Sequence, residues 1–190
     1  METEYRFCPL CATPLAWLMQ PEDSGQVQRL RCPACGWTHW NNPTPVLAAI
    51  IESEDGRILL ARNAAWPTTK MFALITGFME AGESPQQGIA REIKEETNLD
   101  TLEHRLVGVY EFLRMNQVII AYHTRVHGQV RLSPELADYR WYMPQNLKCW
   151  PTATGYALAD WLRSRGYEPV FFTPEEYAER RYGPSAELKR

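Results

Sequence analysis

A chain of 190 residues is long enough for one ordinary domain and a small additional module, but short for two full-sized domains. Hydrophobic residues at 45% and charged residues at 23% match a globular composition and exclude a disordered, collagen-like or disulfide-dense chain. Twenty basic against 23 acidic side chains leave a formal net charge of −3, so no global basic field exists to hold a polyanion unaided.

The N-terminal METEYRFCPLCATPLAW lacks a basic-then-apolar leader pattern, and no apolar run reaches the roughly 18 residues of a membrane span. A cytoplasmic location is therefore expected. Cys8 and Cys11 lie in FCPLC, and Cys32 and Cys35 in RCPACGW, with two residues inside each pair and twenty between the pairs. This is the layout of two metal knuckles, each turn presenting two thiolates to one tetrahedral ion. Iron accepts the same ligands, but a single set of four cysteines in a short ribbon favours zinc. Two redox CxxC motifs or two disulfides are the competing readings; a reducing compartment and the lack of a βαβ pattern weigh against both. Four thiolates leave no open coordination position, so the ion is structural and supplies folding free energy that about forty residues cannot draw from a core of their own. His39, between Trp37 and Trp40, reads as a packing or linker residue. The prolines and asparagines of WNNPTPVL mark a junction, giving an expected zinc ribbon over 1–42 and a main domain over 43–166.

In VLAAIIESEDGRILLARN two apolar runs flank a turn carrying Asp55-Gly56, the pattern of a hairpin, and MFALITGF is a third short strand. A helix is expected from Ser84 to Thr97. Ser84 caps it, Pro85 suits the first helical position, Gln87 completes a capping box, Ile89 and Ile93 share an inward face, and Asn98 suits a left-handed stop. HRLVGVYEFLRMNQVIIAYHTRVHGQVRL reads as two strands around Met115-Asn116, DYRWYMP as another strand, and ATGYALADWLRSR as an amphipathic helix ended by Gly166. Strands and helices so mixed imply an α/β (mixed α+β) architecture, a mixed β-sheet with helices packed on it. The charged stretch 167–190 reads as a partly disordered tail, and Cys149 beside Trp150 as a small buried hydrophobe.

Chemistry concentrates in GFMEAGESPQQGIAREIKEETNL, residues 77–99. Glu92, Glu95 and Glu96 stand at i, i+3 and i+4, so three carboxylates share one helix edge and repel one another. A bound cation or a neighbouring base relieves that repulsion, and hard oxygen ligands select Mg²⁺ or Mn²⁺, ions that bridge phosphate oxygens during attack by water. A solvated helix face would explain the charges alone, but not the glycine, Glu83 and the capped helix at one fixed register.

These residues match the Nudix box GX5EX7REUXEEXGU, with U aliphatic, except for Asn98 in place of the last glycine. The chain therefore resembles the Nudix hydrolases, which cleave nucleoside diphosphates linked to another group, and the preceding four-cysteine ribbon resembles the NADH pyrophosphatase branch. The resemblance implies an α/β/α sandwich, Glu92, Glu95 and Glu96 as divalent-metal ligands, the Thr76 carbonyl as a further ligand, and Arg91 paired with Glu83 to fix the carboxylates. It also implies a glutamate from a later loop, for which Glu135 is the candidate metal ligand or base and Glu111 the runner-up, and a homodimer. Arg62 and Lys70 are candidates for the remaining phosphate charge, against a reading as exposed solubilising groups. Phe72, Tyr110, Trp66 and Phe112 are candidates for stacking on a base, against a reading as core. The branch's SQPWPFPxS motif is replaced by GVYEFLRMNQ in that neighbourhood, which argues against NADH as the preferred substrate and leaves ADP-ribose, FAD, other dinucleotides and a nucleotide cap on RNA open beside it. A nucleotide-sensing or nucleic-acid-binding regulatory protein is the alternative, disfavoured by the complete glutamate set.

Overall fold

A computed structural model of the chain describes residues 5–23, 25–66 and 70–182. They divide into two compact units that meet between Asn42 and Pro43. In the first, β1 (Ala16–Glu22), β2 (Gly25–Arg31) and β3 (Thr38–His39) form an antiparallel sheet. Its apolar content is thin: Leu30, Cys8 and Cys32 are buried, whereas Trp17, Met19 and Trp40 are exposed. His39 lies in an aromatic group, its ring centroid 4.8 Å from Tyr5 and 6.2 Å from Trp37.

The second unit is organised around β4 (Thr44–Glu52), in which Val46 to Glu52 are all buried. Successive side chains point to opposite faces of a strand, so continuous burial means that both faces are covered. Leu47, Ala49 and Ile51 pack with Ile89 and Ile93 of α1 (Pro85–Thr97). The residues between them face the other way: Ile50 packs with Leu158, Trp161 and Leu162 of α2 (Thr154–Ser164), and Val46 and Ala48 with Ala157. The result is an α/β/α sandwich. In the sheet, β4 pairs antiparallel with β5 (Ile58–Asn63) and β6 (Ile75–Phe78) and parallel with β8 (Gln117–His127), while β7 (Asp100–Phe112) and β9 (Leu136–Tyr142) form the edges. Full burial of side chains such as Ile89 and Ile93 is worth about 1.5–3 kcal/mol each, so α1 is held by its apolar face and its acidic edge is left for other work.

The local devices of α1 appear in full. Ser84 accepts from the Gln87 N–H, the Gln87 side chain accepts from the Ser84 N–H, and Asn98 closes the helix at φ 62°. Asn98 also donates through Nδ2 to the Gln129 carbonyl, 3.3 Å away, so the asparagine at the final box position both stops the helix and ties down the next loop.

The stretch read as a tail continues as structure through Tyr182. β11 (Val170–Phe171) runs parallel to β10 (Lys148–Cys149), and α3 (Pro174–Tyr182) follows, capped reciprocally by Thr173 and Glu176. Residues 183–190 lie outside the described residues. Cys149 is fully buried, and burial pushes its thiol up to about 11, which suits packing rather than nucleophilic attack. No described helix is long and apolar enough to cross a membrane.

Candidate active site and metal centres

In the first unit the sulfur atoms of Cys8, Cys11, Cys32 and Cys35 all lie within 4.8 Å of one another, with Sγ–Sγ separations of 3.5 Å for Cys8–Cys35 and Cys11–Cys32 and 3.6 Å for Cys11–Cys35. A tetrahedron of thiolates at a zinc–sulfur distance of about 2.3 Å has edges of about 3.8 Å, so the four positions are already spaced for one ion. The Leu10 and Cys35 N–H groups point at the sulfurs of Cys8 and Cys32, as knuckle turns do. Hydrogen bonds to the Thr13 side chain and backbone hold the Cys11 thiol down to about 6, whereas Cys35, despite a hydrogen bond from the Trp37 backbone, is pushed up to about 12 by its sulfur neighbours and burial.

The second centre is assembled from four segments of the other unit. β6 brings Thr76 and Gly77 alongside Ala48 and Leu47 of β4. The loop after β6 brings Glu83, whose carboxylate accepts from the Glu80 N–H at 2.7 Å. The helix α1 carries Arg91, Glu92, Glu95 and Glu96. The fourth segment, 128–135, is fixed to the end of that helix by the Arg131 and Ser133 N–H groups, which donate to the carbonyls of Thr97 and Glu96.

Arg91 is the hub. Its guanidinium donates to both Glu83 oxygens at 2.9 and 3.1 Å, to Glu92 at 2.9 Å, to Glu95 at 3.1 Å and to the Phe78 carbonyl at 3.2 Å. The Glu83 carboxyl is held below its ordinary range by Arg91. Burial pushes Glu92 up despite Arg91, and pushes Glu96 up to about 7, aided by the charges of Glu92, Glu135 and Glu95. These are carboxylates short of a cation. Glu135, exposed on the loop before β9, is thus near enough for its charge to act on both Glu92 and Glu96. The donor set fits a hard divalent ion: four carboxylates share one field, and one cation is already used to aim them.

Gly77 has a steric reason to be glycine. A Cβ there would lie 1.8 Å from the Glu92 carboxyl carbon. Gly88 has another, because its Cβ would meet a Leu47 methyl at 2.4 Å and a Glu83 oxygen at 2.5 Å. The first glycine makes room for the Glu92 carboxylate, and the second lets α1 settle on β4.

Glu96 and Thr76 form part of the wall of a cavity of about 680 Å³ together with Glu111, the runner-up carboxylate. The rest of the wall is largely aromatic and aliphatic, including Trp66, Phe112, Trp150 and Tyr156, with Arg114 and Arg181 as cations. Four residues expected at the substrate do not reach this wall. Arg62 is paired in register with Asp138 across β5 and β9. Lys70 is exposed, with its N–H on the Arg180 carbonyl. Phe72 packs on the core beneath the Arg140 guanidinium, 4.6 Å away, and Tyr110 donates to Asp160 of α2 at 3.0 Å. Tyr177 and Arg181, also on the wall, escaped the sequence reading because they belong to the presumed tail. Their only sequence signal is the helix start TPEE, a threonine cap with glutamate at the third helical position.

The family model described as NUDIX domain matches residues 42–162, and one described as Nudix N-terminal matches residues 6–41. The chain is 26% identical over 157 residues to the NAD-capped RNA hydrolase NudC of Stutzerimonas stutzeri (strain A1501), covering 82% of this chain and 54% of that protein. To the NAD-capped RNA hydrolase NudC of Pseudomonas aeruginosa (strain LESB58) it is 28% identical over 172 residues, covering 87% and 59%. The chain therefore spans between half and three fifths of the length of these two relatives. Among solved structures, a NUDIX hydrolase from Nitrosomonas europaea superposes with a TM-score of 0.71 at 26% identity, covering 88% of this chain and 97% of that one.

Proposed function

The chain belongs to the Nudix family, and from that premise we propose that it hydrolyses the pyrophosphate bond of a nucleoside diphosphate linked to another group, in a divalent-metal-dependent reaction. The observation that carries this reading is the joint field of Glu92, Glu95, Glu96 and Glu135 beside a roomy, largely apolar cavity. Those carboxylates, with the Thr76 carbonyl, would hold Mg²⁺ or Mn²⁺, which when bound lowers the pKa of water and screens the phosphoryl charge. The protein's own contribution is positioning. Arg91 is locked by Glu83 and so fixes the direction of Glu92 and Glu95. Glu135 comes from a different element and suits either completion of the ligand set or acceptance of the proton from the attacking water. Arg114 and Arg181 supply positive charge for phosphate oxygens that the acidic edge would otherwise repel.

The thiolate cluster is assigned a structural zinc ion, since four cysteines leave no open position for chemistry. Candidate substrates are ADP-ribose, NADH, FAD and a nucleotide cap on RNA, the last supported by the relatives named as NAD-capped RNA hydrolases. The test is incubation with these compounds and diadenosine polyphosphates in Mg²⁺ or Mn²⁺. We expect release of a nucleoside monophosphate, and its loss by a factor of about 100 or more in Glu95→Gln or Glu96→Gln with the fold intact. Tight nucleotide binding with no cleavage of any compound would instead identify a sensor.

A further inference from the structure

We propose that the outer edge of β7 pairs with the same edge of a second copy of this chain, antiparallel about a twofold axis at His104, so that two copies share one continuous sheet. The inference goes beyond the bare expectation of a homodimer, because it names the strand, the register and the charges that select it. It does not depend on the hydrolase reading.

β7 ends the sheet. It pairs with β8 along one side, and no backbone hydrogen bond joins its other side to a described residue. At the opposite edge, β9 carries no large apolar side chain that is exposed, whereas β7 leaves Leu102, Leu106 and Val109 57%, 58% and 60% exposed. Leu106 and Val109 stand opposite Tyr122 and Ile120, which pack in the α1 layer, so they share that face of the sheet but lie beyond the cover of the helix. An open strand edge flanked by leucine and valine in water is a template for another strand.

Charge selects the second copy as that strand. The register of β7 with β8 slips at Leu102 and at Val107 and is regular from Glu103 to Leu106. About a twofold axis normal to the sheet, residues that meet share a face, so odd positions meet odd and even meet even. An axis at Glu103 or at Arg105 would set that charge against its own copy, and an axis at Leu106 would set Glu103 and Arg105 against Val109 and Val107. An axis at His104 sets Glu103 against Arg105 of the second copy, and Arg105 against its Glu103, with Leu102 and Leu106 meeting beside them. In one chain these two charges reach each other, Nε to Oε1 at 2.7 Å, with the Arg105 side chain mostly exposed. Across the axis the four charges alternate in sign.

His104 meets its own copy on the axis. Its Nδ1 lies 3.3 Å from the Thr124 hydroxyl, and burial holds its pKa below the ordinary value, so two neutral rings face each other. The bulges on either side limit the length of strand that can pair, and a twofold contact consumes the same edge on both copies, so association closes at two. The paired run lies away from Glu111 and Phe112, the end of β7 that lines the cavity, so each copy keeps its own metal centre.

The experiment is sedimentation velocity of the full chain from about 1 to about 100 μM, where we expect a dimer that dissociates on dilution. Glu103→Arg and Arg105→Glu each set like charges face to face and should each weaken the dimer at least about tenfold. The double variant Glu103→Arg/Arg105→Glu restores the alternation and should recover the dimer. An equimolar mixture of the two single variants should form a mixed dimer. Amide hydrogen exchange over 103–106 should slow at the concentration that gives the dimer. A chain monomeric throughout, a dimer indifferent to both single reversals, or a loss that neither the double variant nor the mixture restores would overturn the pairing. Mn²⁺ affinity should be equal in the monomeric single variants and in the dimer; a loss in the monomers would overturn the separation of this edge from the metal centre.

Discussion

Replacing Gly77 by alanine should damage the metal centre far more than the fold. The added Cβ would lie 1.8 Å from the Glu92 carboxyl carbon, and non-bonded carbons tolerate no less than about 3.5 Å, so the carboxylate must retreat by about 1.7 Å. It sits at the end of a flexible side chain and can swing away, but only by leaving its 2.9 Å contact with Arg91. Arg91 keeps Glu83 and Glu95, so we expect a net loss of about 1–2 kcal/mol, a fall in Tm of about 2–8 °C. A misplacement of about 1 Å at a reacting centre is worth about 100-fold in rate, and kcat with ADP-ribose should fall by at least that factor. Mn²⁺ affinity, read by electron paramagnetic resonance, should weaken at least about tenfold. Full activity and unchanged Mn²⁺ affinity in a folded Gly77→Ala protein would show that Glu92 has no part in the centre.

Gly88→Ala should damage both fold and site, costing about 1–3 kcal/mol because the Leu47 methyl it meets belongs to the packed core, and lowering activity because it also displaces the Glu83 carboxylate that holds Arg91; chemical denaturation reads the first loss and kcat the second. In the absence of a divalent ion, Glu96 is pushed up to about 7 from an ordinary 4.5 in the unfolded chain. Between those values the folded state binds the extra proton, so this group lowers the stability of the metal-free protein as pH rises from about 4.5 to about 7 and adds no further slope above. Mn²⁺ binding requires the carboxylate, so calorimetry in buffers of different ionisation enthalpy should detect proton release at about pH 6 and little at about pH 8; equal release at both would contradict the shift. Cys8→Ser should lower zinc below one ion per chain by elemental analysis and melt the 5–41 sheet in NMR spectra, while reducing kcat much less than Glu96→Gln does.

Features governed by near neighbours could be read directly from the chain. The Ser84–Gln87 capping box, the proline at the helix start and the left-handed Asn98 involve groups within four residues of one another, so local chemistry sets both ends of α1. The same holds for the Asp55-Gly56 turn, where Gly56 takes φ 79°, and for the knuckle turns of the cysteines. The spacing of Glu92, Glu95 and Glu96 follows from helical period alone. Strand periodicity was equally legible, and the unbroken apolar run of β4 carries the signature of a strand covered on both faces.

Period tells which side chains share a face, but not what that face meets. Tyr110 and Phe72 look like base-stacking candidates until strand pairing and helix packing set one against Asp160, fifty residues away, and the other under Arg140. Glu135 joins Glu92 and Glu96 only because its loop is hydrogen-bonded to the end of α1. The polar helix PEEYAERRY carries too little apolar surface to announce itself, and its place depends on Lys148, Phe172 and Trp66 from distant segments. Local sequence thus specifies the acidic helix edge and the thiolate turns, because their geometry closes within a few bonds. The cavity beside that edge, with its aromatic wall, exists only once contacts far apart in the chain are made.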